Sequence, residues 1–181
     1  MSKVVHPFAH RLGILRDWRH RWFATGPQYQ ENLKADILLR EFLLKELRGM
    51  YVGGLEMERG KLLRVIIQTS RPGLIIGRSG EGSTKIKNSI QKFLQKHKLT
   101  VPEIKLDIEE IRSPESNAAI VAFMVAEGLE KRLPFRRVLK QTIEKVMANR
   151  DVKGVRIQIS GMLGSGSMSR TEGLKKGRIP L

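Results

Sequence analysis

The sequence contains no cysteine. That absence excludes disulfide staples, thiolate catalysis and sulfur-ligated zinc together, and it fits a reducing compartment. Acidic residues are scarce. Against 34 Lys and Arg stand 18 Asp and Glu in 181 residues, a formal net charge of +16. A compact chain with that surplus repels itself and calls for a polyanionic partner. Long apolar runs are also missing: none approaches the roughly 20 residues of a membrane-spanning helix. The cations are spread over several elements, and the first residues lack the apolar core of a secretory leader, so neither a membrane partner nor export is expected. Aromatic residues make up only 6%, and both tryptophans, Trp18 and Trp22, lie in the first 26 residues. What is present is a hydrophobic fraction of 40%, enough for a core, in a length that suits one large domain or two small ones.

The chain is organised around Ser70 to Ser83. The apolar, alternating stretch Leu62 to Thr69 predicts a strand before it, and Thr84 to His97 predicts a helix after it. Between them stands Gly77-Arg78-Ser79-Gly80. Two glycines three apart allow a tight turn and close approach of another backbone. The free N–H groups of the helix start favour an anion, and the arginine adds a permanent charge suited to phosphate. A GxxG clamp between strand and helix is the mark of KH-type RNA-binding modules. The tetrapeptide alone is weak, since Gly161-Met162-Leu163-Gly164 repeats it; the flanking strand and helix give it weight. Gly77 to Ser83 also spells G-x-x-x-x-G-S but lacks the lysine that reaches the nucleotide phosphates, so nucleotide hydrolysis is not expected. No paired carboxylates, no HExxH and no metal-ligand cluster support an enzyme, a metal site or a cofactor.

Residues 1–26 read as a basic arm, with Arg11, Arg16, Arg19 and Arg21 available to RNA while Trp22 and Phe23 anchor the arm. A helix is expected over 27–48, with Tyr29, Leu33, Ile37, Leu44 and Leu47 on its buried face. A hairpin follows, Met50 to Glu58 and Leu62 to Thr69. In the helix after the glycine loop, Ile86, Ile90, Phe93, Leu94 and His97 should point inward, leaving Lys85 and Lys87 for RNA. A third strand, Val101 to Ile111, is joined to its neighbour by helices and should run parallel to it. The sum is a mixed three-stranded sheet with helices on one face, the layout of a type II KH domain over residues 27–112, in an α+β chain.

Ser113-Pro114 opens residues 113–181, an α/β domain. Asn117, Val121, Val125 and Leu129 repeat at four-residue steps, and the next helix buries Phe135, Val138, Leu139, Ile143, Val146 and Met147. Lys131 and Arg132 at the junction join Arg136, Arg137 and Lys140 in one basic cluster. Cations in a helix's first turn face the positive end of its dipole, at a cost of about 0.3–1 kcal/mol each, so an anionic strand explains the cluster better than stability does. Gly154 to Ser160 reads as a strand without a partner, followed by a glycine- and serine-rich loop and a basic tail carrying Arg170, Lys175, Lys176 and Arg178.

Over nearly its whole length the chain resembles the bacterial form of the small-subunit ribosomal protein three family. The resemblance rests on Lys3-Val4-Val5-His6-Pro7, Arg11-Leu12-Gly13-Ile14, Trp22-Phe23-Ala24, and Arg71 through Glu81. It continues in Phe135-Arg136-Arg137-Val138-Leu139-Lys140, Ser160 through Gly164, Arg170-Thr171-Glu172 and Gly177-Arg178-Ile179-Pro180-Leu181. It implies a type II KH domain and a C-terminal α/β domain in the head of the cytoplasmic ribosome's small subunit. Implied partners are small-subunit rRNA, neighbouring head proteins and mRNA, with Arg136, Arg137 and Lys140 facing incoming mRNA and helping to open it without a nucleotide. Neither a cofactor nor a small-molecule substrate is implied. Pro7-Phe8-Ala9-His10 departs from the family's usual turn. The family normally continues past Leu181 with further strands, so a truncated C-terminal domain is expected. The alternative is a free-standing KH regulator of mRNA, which would share the glycine loop but have no need of Arg170-Thr171-Glu172 or the final segment.

Overall fold

The computed structural model describes residues 5–99, 103–164 and 166–179. The expected strand start at Val101, and Lys3, Val4, Pro180 and Leu181 of the resemblance segments, lie outside the described residues.

In chain order the elements are α1 (Pro7–His10), β1 (His20–Arg21), α2 (Pro27–Glu46), β2 (Val52–Arg59), β3 (Leu63–Thr69), α3 (Pro72–Ile76), a 3₁₀ turn (Arg78–Gly80), α4 (Glu81–Lys96) and β4 (Ile104–Glu110). A second 3₁₀ turn (Pro114–Ser116), α5 (Ala118–Glu130), α6 (Phe135–Ala148), β5 (Gly154–Gly161) and β6 (Arg170–Gly177) follow. They divide into two compact units, 1–46 with 55–67 and 73–109, and 47–54 with 68–72 and 110–181.

The sheet has the order β1-β2-β3-β4. Four strands stand where three were expected, because the arm contributes β1, parallel to β2 with His20 opposite Met57. The tight turn from Gly60 N–H to Leu62 O makes β2 and β3 antiparallel. Leu63 N–H donates to Glu103 O and Ile111 N–H to Thr69 O, so β3 and β4 run parallel and the sheet is mixed. The α-β-β-α-α-β order from α2 to β4 is that of a type II KH domain.

In the first unit Leu39, Leu43, Met57, Leu63, Val65, Ile67, Ile75, Ile90, Leu94 and Ile104 are almost fully buried. Ile86, Ile90 and Leu94 form one face of α4 at helical spacing. Phe42 of α2 stacks on Phe93 of α4, with ring centroids 4.4 Å apart.

Of the residues expected on the buried face of α2, only Leu47, just past its end, is buried. Tyr29, Leu33, Ile37 and Leu44 are exposed, Ile37 by 52%, and the buried stripe is Ala35, Asp36, Leu39 and Leu43. A charged residue and an alanine occupy two positions of that stripe, so counting large apolar side chains selected the opposite face. His97 is likewise exposed rather than inward.

In the second unit, Asn117 is not an inner-face residue. Its Oδ1 caps α5, accepting from Ala119 N–H at 3.0 Å and Ile120 N–H at 3.5 Å. Val125, Val138, Leu139, Ile159 and Leu163 form the buried cluster of this unit, with Leu129, Phe135 and Ile157 packed against it. The unpaired strand is corrected as well. β5 pairs antiparallel with β6 from Gly154↔Gly177 to Gly161↔Arg170. The segment read as a basic tail is a strand paired along its whole length with β5: Glu172 stands opposite Ile159, and Leu174, 39% exposed, opposite Ile157.

Candidate nucleic-acid interface

The glycine loop is built by α3 and α4. Gly77 has φ +70 and Gly80 has φ +81, and between them Ser79 is also left-handed at φ +52. A serine in that region stores strain, which the two glycines confine to one residue. Gly80 opens α4 without any side-chain cap. Ser83 Oγ and Thr84 Oγ1 donate to Gly80 O at 2.8 and 3.2 Å, closing the turn through its carbonyl. Glu81 N–H donates to Arg78 O, and no side chain caps the N–H groups that follow it, which leaves those to an outside acceptor. The Arg78 guanidinium is exposed and has no ion-pair or hydrogen-bond partner among the described residues. Exposed Leu74 and Ile76 place apolar surface beside it.

Sequence reasoning missed Gly82. A Cβ there would stand 2.4 Å from Ile75 O and 2.9 Å from Ile76 O. The α4 start thus rests directly on the α3 backbone, which holds the loop in place. Lys85 is exposed, 4.0 Å from Glu81, and Lys87 is half-buried.

The second cluster lies at the start of α6. Pro134 precedes it without a side-chain cap. Arg132, Arg137 and Lys140 are exposed, and their side chains have no ion-pair or hydrogen-bond partner among the described residues. Lys131 is held by Glu127 at 2.6 Å. That ion pair and the Tyr51 hydroxyl hydrogen bond keep the Glu127 carboxyl below its usual pKa, and Lys131 is raised in return. Arg136 and Arg170 share Glu172 at 3.4 and 3.3 Å, and both guanidinium groups lie 5.6 Å from the Phe135 ring. Arg170 of β6 thus joins the α6 cluster, which linear sequence could not show. Arg156 and Lys175 stand opposite each other in the β5–β6 register, like charges set side by side. Lys176 and Arg178 are exposed close by in the chain.

The arm is folded onto its unit. His6 Nδ1 accepts from Phe8 N–H at 3.1 Å and caps α1, so Pro7–His10 forms a helical turn. Arg19 lies over the Phe8 ring at 4.4 Å and Arg16 at 5.4 Å. Arg11 donates to Pro7 O at 2.9 Å. The guanidinium of Arg21 is occupied by Asp17, Glu56 and Glu58 at 3.1, 2.7 and 2.9 Å.

Trp22 does anchor the arm: its Nε1–H donates to Asp36 at 2.8 Å. Phe23 does not, being 91% exposed. The same Asp36, only 2% exposed, lies 3.3 Å from His20 Nδ1 and accepts from Arg59 Nε at 2.7 Å. Burial pushes its carboxyl pKa up, but the bonds from His20, Arg59 and Trp22 outweigh that and hold it below the usual value. No charge pattern in the sequence pointed to this hub.

Comparison with known proteins bears on both clusters. The KH domain family profile matches residues 38–116, which include the glycine loop, and the profile described as ribosomal protein S3, C-terminal domain, matches residues 125–181. The small ribosomal subunit protein uS3 of Caldicellulosiruptor saccharolyticus is 38% identical over the whole of this chain and 79% of its own length. The chain belongs to the uS3 family. The uS3 proteins of Akkermansia muciniphila and Idiomarina loihiensis are each 37% identical, again over the whole chain and 77% of their own length. In uS3 terms the glycine loop falls in the KH part, and the α6 cluster with β6 falls in the C-terminal part.

Proposed function

We propose that this uS3 chain is a structural RNA-binding component of the small-subunit head that binds rRNA and lines the channel by which mRNA reaches the ribosome. The observation that carries the mRNA part is the uncompensated cluster at the start of α6. Arg137 is a solvated cation in the first turn of α6, where the helix dipole favours an anion, and exposed Arg132 and Lys140 stand before and after it in the chain without side-chain partners among the described residues. Arg136, steadied by Glu172, and Lys131, steadied by Glu127, flank them.

Such a cluster opens RNA passively. Cations that hold single-strand phosphates favour the open state each time a hairpin frays, and no nucleotide is consumed. The rRNA contacts belong to the glycine loop (Gly77, Arg78, Ser79, Gly80) with Lys85 and Lys87, to Arg11, Arg16 and Arg19 of the arm, and to Arg170, Lys175, Lys176 and Arg178. Arg21, balanced by three carboxylates, is assigned to holding the arm instead. The role is binding without catalysis, within the cytoplasmic ribosome.

The test is alanine substitution of Arg136, Arg137 and Lys140 together. All three are exposed, so folding should be close to normal. Ribosomes carrying the variant should slow on hairpin-containing mRNA but not on unstructured mRNA. The salt slope of single-strand binding by the isolated chain should shrink by about 0.7 for each phosphate no longer neutralised. Unchanged passage through hairpins would overturn the reading.

A further inference from the structure

The opposite end of α4 carries a second cationic hollow, of about 530 Å³, whose wall includes Lys34, Arg59, His97 and Lys98 with Glu31 as the acid among its lining residues. Part of this charge has a local explanation, since cations after a helix C-terminus complement its dipole. Two observations go beyond that.

The first is the backbone of Lys98. It closes α4, with its own N–H on Gln95 O and Leu99 N–H on Leu94 O, both at 3.0 Å. That closing position takes a left-handed residue, usually glycine, and here lysine occupies it at φ +53. Dipole compensation does not require a lysine at a position where a side chain is strained.

The second is that Lys34 and Arg59 come from other elements, α2 and the end of β2, so three separate segments bring positive charge to one hollow. Lys34 and Lys98 have no ion-pair partner among the described residues. Arg59 is 11% exposed and held by Asp36, and His97 lies 4.5 Å from the Phe93 ring. Arg59 and His97 are thus tied to neighbouring side chains, whereas, among the described residues, Lys34 and Lys98 are not.

We infer that this hollow is a second RNA-phosphate site, in which Lys34 and Lys98 grip a phosphodiester beside Arg59 and His97. The inference rests on the reading of the chain as an RNA-binding protein. It is spatially independent of the glycine loop, because the 16 residues of α4 separate the two by about 24 Å. One phosphate cannot serve both.

The experiment measures the salt dependence of binding of a fluorescein-labelled oligouridylate to the full chain, for wild type, Lys98→Gly, Lys34→Ala with Lys98→Gly, and Arg78→Asp with Ser79→Asp. Lys98→Gly should lower the slope by about 0.7, the value of one neutralised phosphate, and the double lysine variant should lower it further. Because glycine relieves the positive φ, the thermal midpoint of Lys98→Gly should be unchanged or higher. An unaltered slope overturns the inference, and a lower midpoint with an unaltered slope shows that Lys98 only closes the helix. If the Arg78 and Ser79 variant loses affinity while the lysine variants do not, the glycine-loop reading stands and this one falls. The reverse pattern supports this site and sinks the loop. Competition by inorganic phosphate at constant ionic strength, abolished in Lys98→Gly while the oligouridylate slope is unchanged, would assign the hollow to free phosphate and overturn its assignment to RNA.

Discussion

Replacing Asp36 with alanine tests whether one buried carboxylate holds the arm to its unit. Asp36 is 2% exposed and receives Arg59, Trp22 and His20. Arg59 is 11% exposed, so the variant leaves a guanidinium in a poorly solvated place without its counter-charge. Breaking a buried pair from one side costs about 3–5 kcal/mol. For a chain of this size each kcal/mol lowers the melting midpoint by about 2–4 °C, so a fall of roughly 6–20 °C is expected. Urea unfolding gives the free energy directly, and tryptophan fluorescence reports the release of Trp22. Removing both charges, Asp36→Leu with Arg59→Met, should recover part of the deficit, since no bare charge then remains buried. A single-variant effect below about 1 kcal/mol, the range of an exposed ion pair, would refute the idea that Asp36 organises this region.

The same carboxylate sets a pH dependence. Its folded pKa lies below the ordinary value, so the stability it adds is complete above about pH 4 and is lost as pH falls through the folded value. The advantage of wild type over Asp36→Asn should therefore be flat from neutrality to about pH 5 and shrink in stronger acid; urea midpoints at each pH check this. Gly82→Ala puts a Cβ 2.4 Å from Ile75 O, and the forced backbone shift should cost about 1–3 kcal/mol by chemical denaturation while weakening RNA binding. Arg78→Asp with Ser79→Asp should leave the melting midpoint within a few degrees, because both side chains are exposed, yet reduce RNA affinity in a filter-binding assay. Unchanged affinity would remove the glycine loop from the interface.

Elements with strong local periodicity were legible without coordinates. The inner face of α6 and the apolar alternation of β5 follow from spacing alone, as does the strand–loop–helix frame of Gly77 to Gly80. Where the pattern was diluted, reading failed. The buried face of α2 carries Asp36 and Ala35, while Tyr29, Leu33 and Ile37 lie outside, so hydrophobic counting pointed the wrong way. Strand β6 has Lys175, Lys176 and two glycines among its eight residues and resembles a solvated tail until β5 is seen beside it. Asn117 looked like one step of a periodic stripe, although its side chain caps the helix that the stripe begins.

Residue type and near-neighbour spacing were enough to establish a strongly cationic uS3 chain, with a glycine bend before one helix and arginines at the start of another. Both kinds of information survive in a linear string. Which cations are occupied and which are available was settled by folding alone. Arg21 is balanced by three carboxylates and Arg136 shares Glu172 with Arg170, whereas Arg78, Arg137 and Lys140 stand free of side-chain partners among the described residues. Charge compensation acts over a few ångströms between residues as many as 82 positions apart, as between Arg48 and Glu130, and only the folded chain sets those distances.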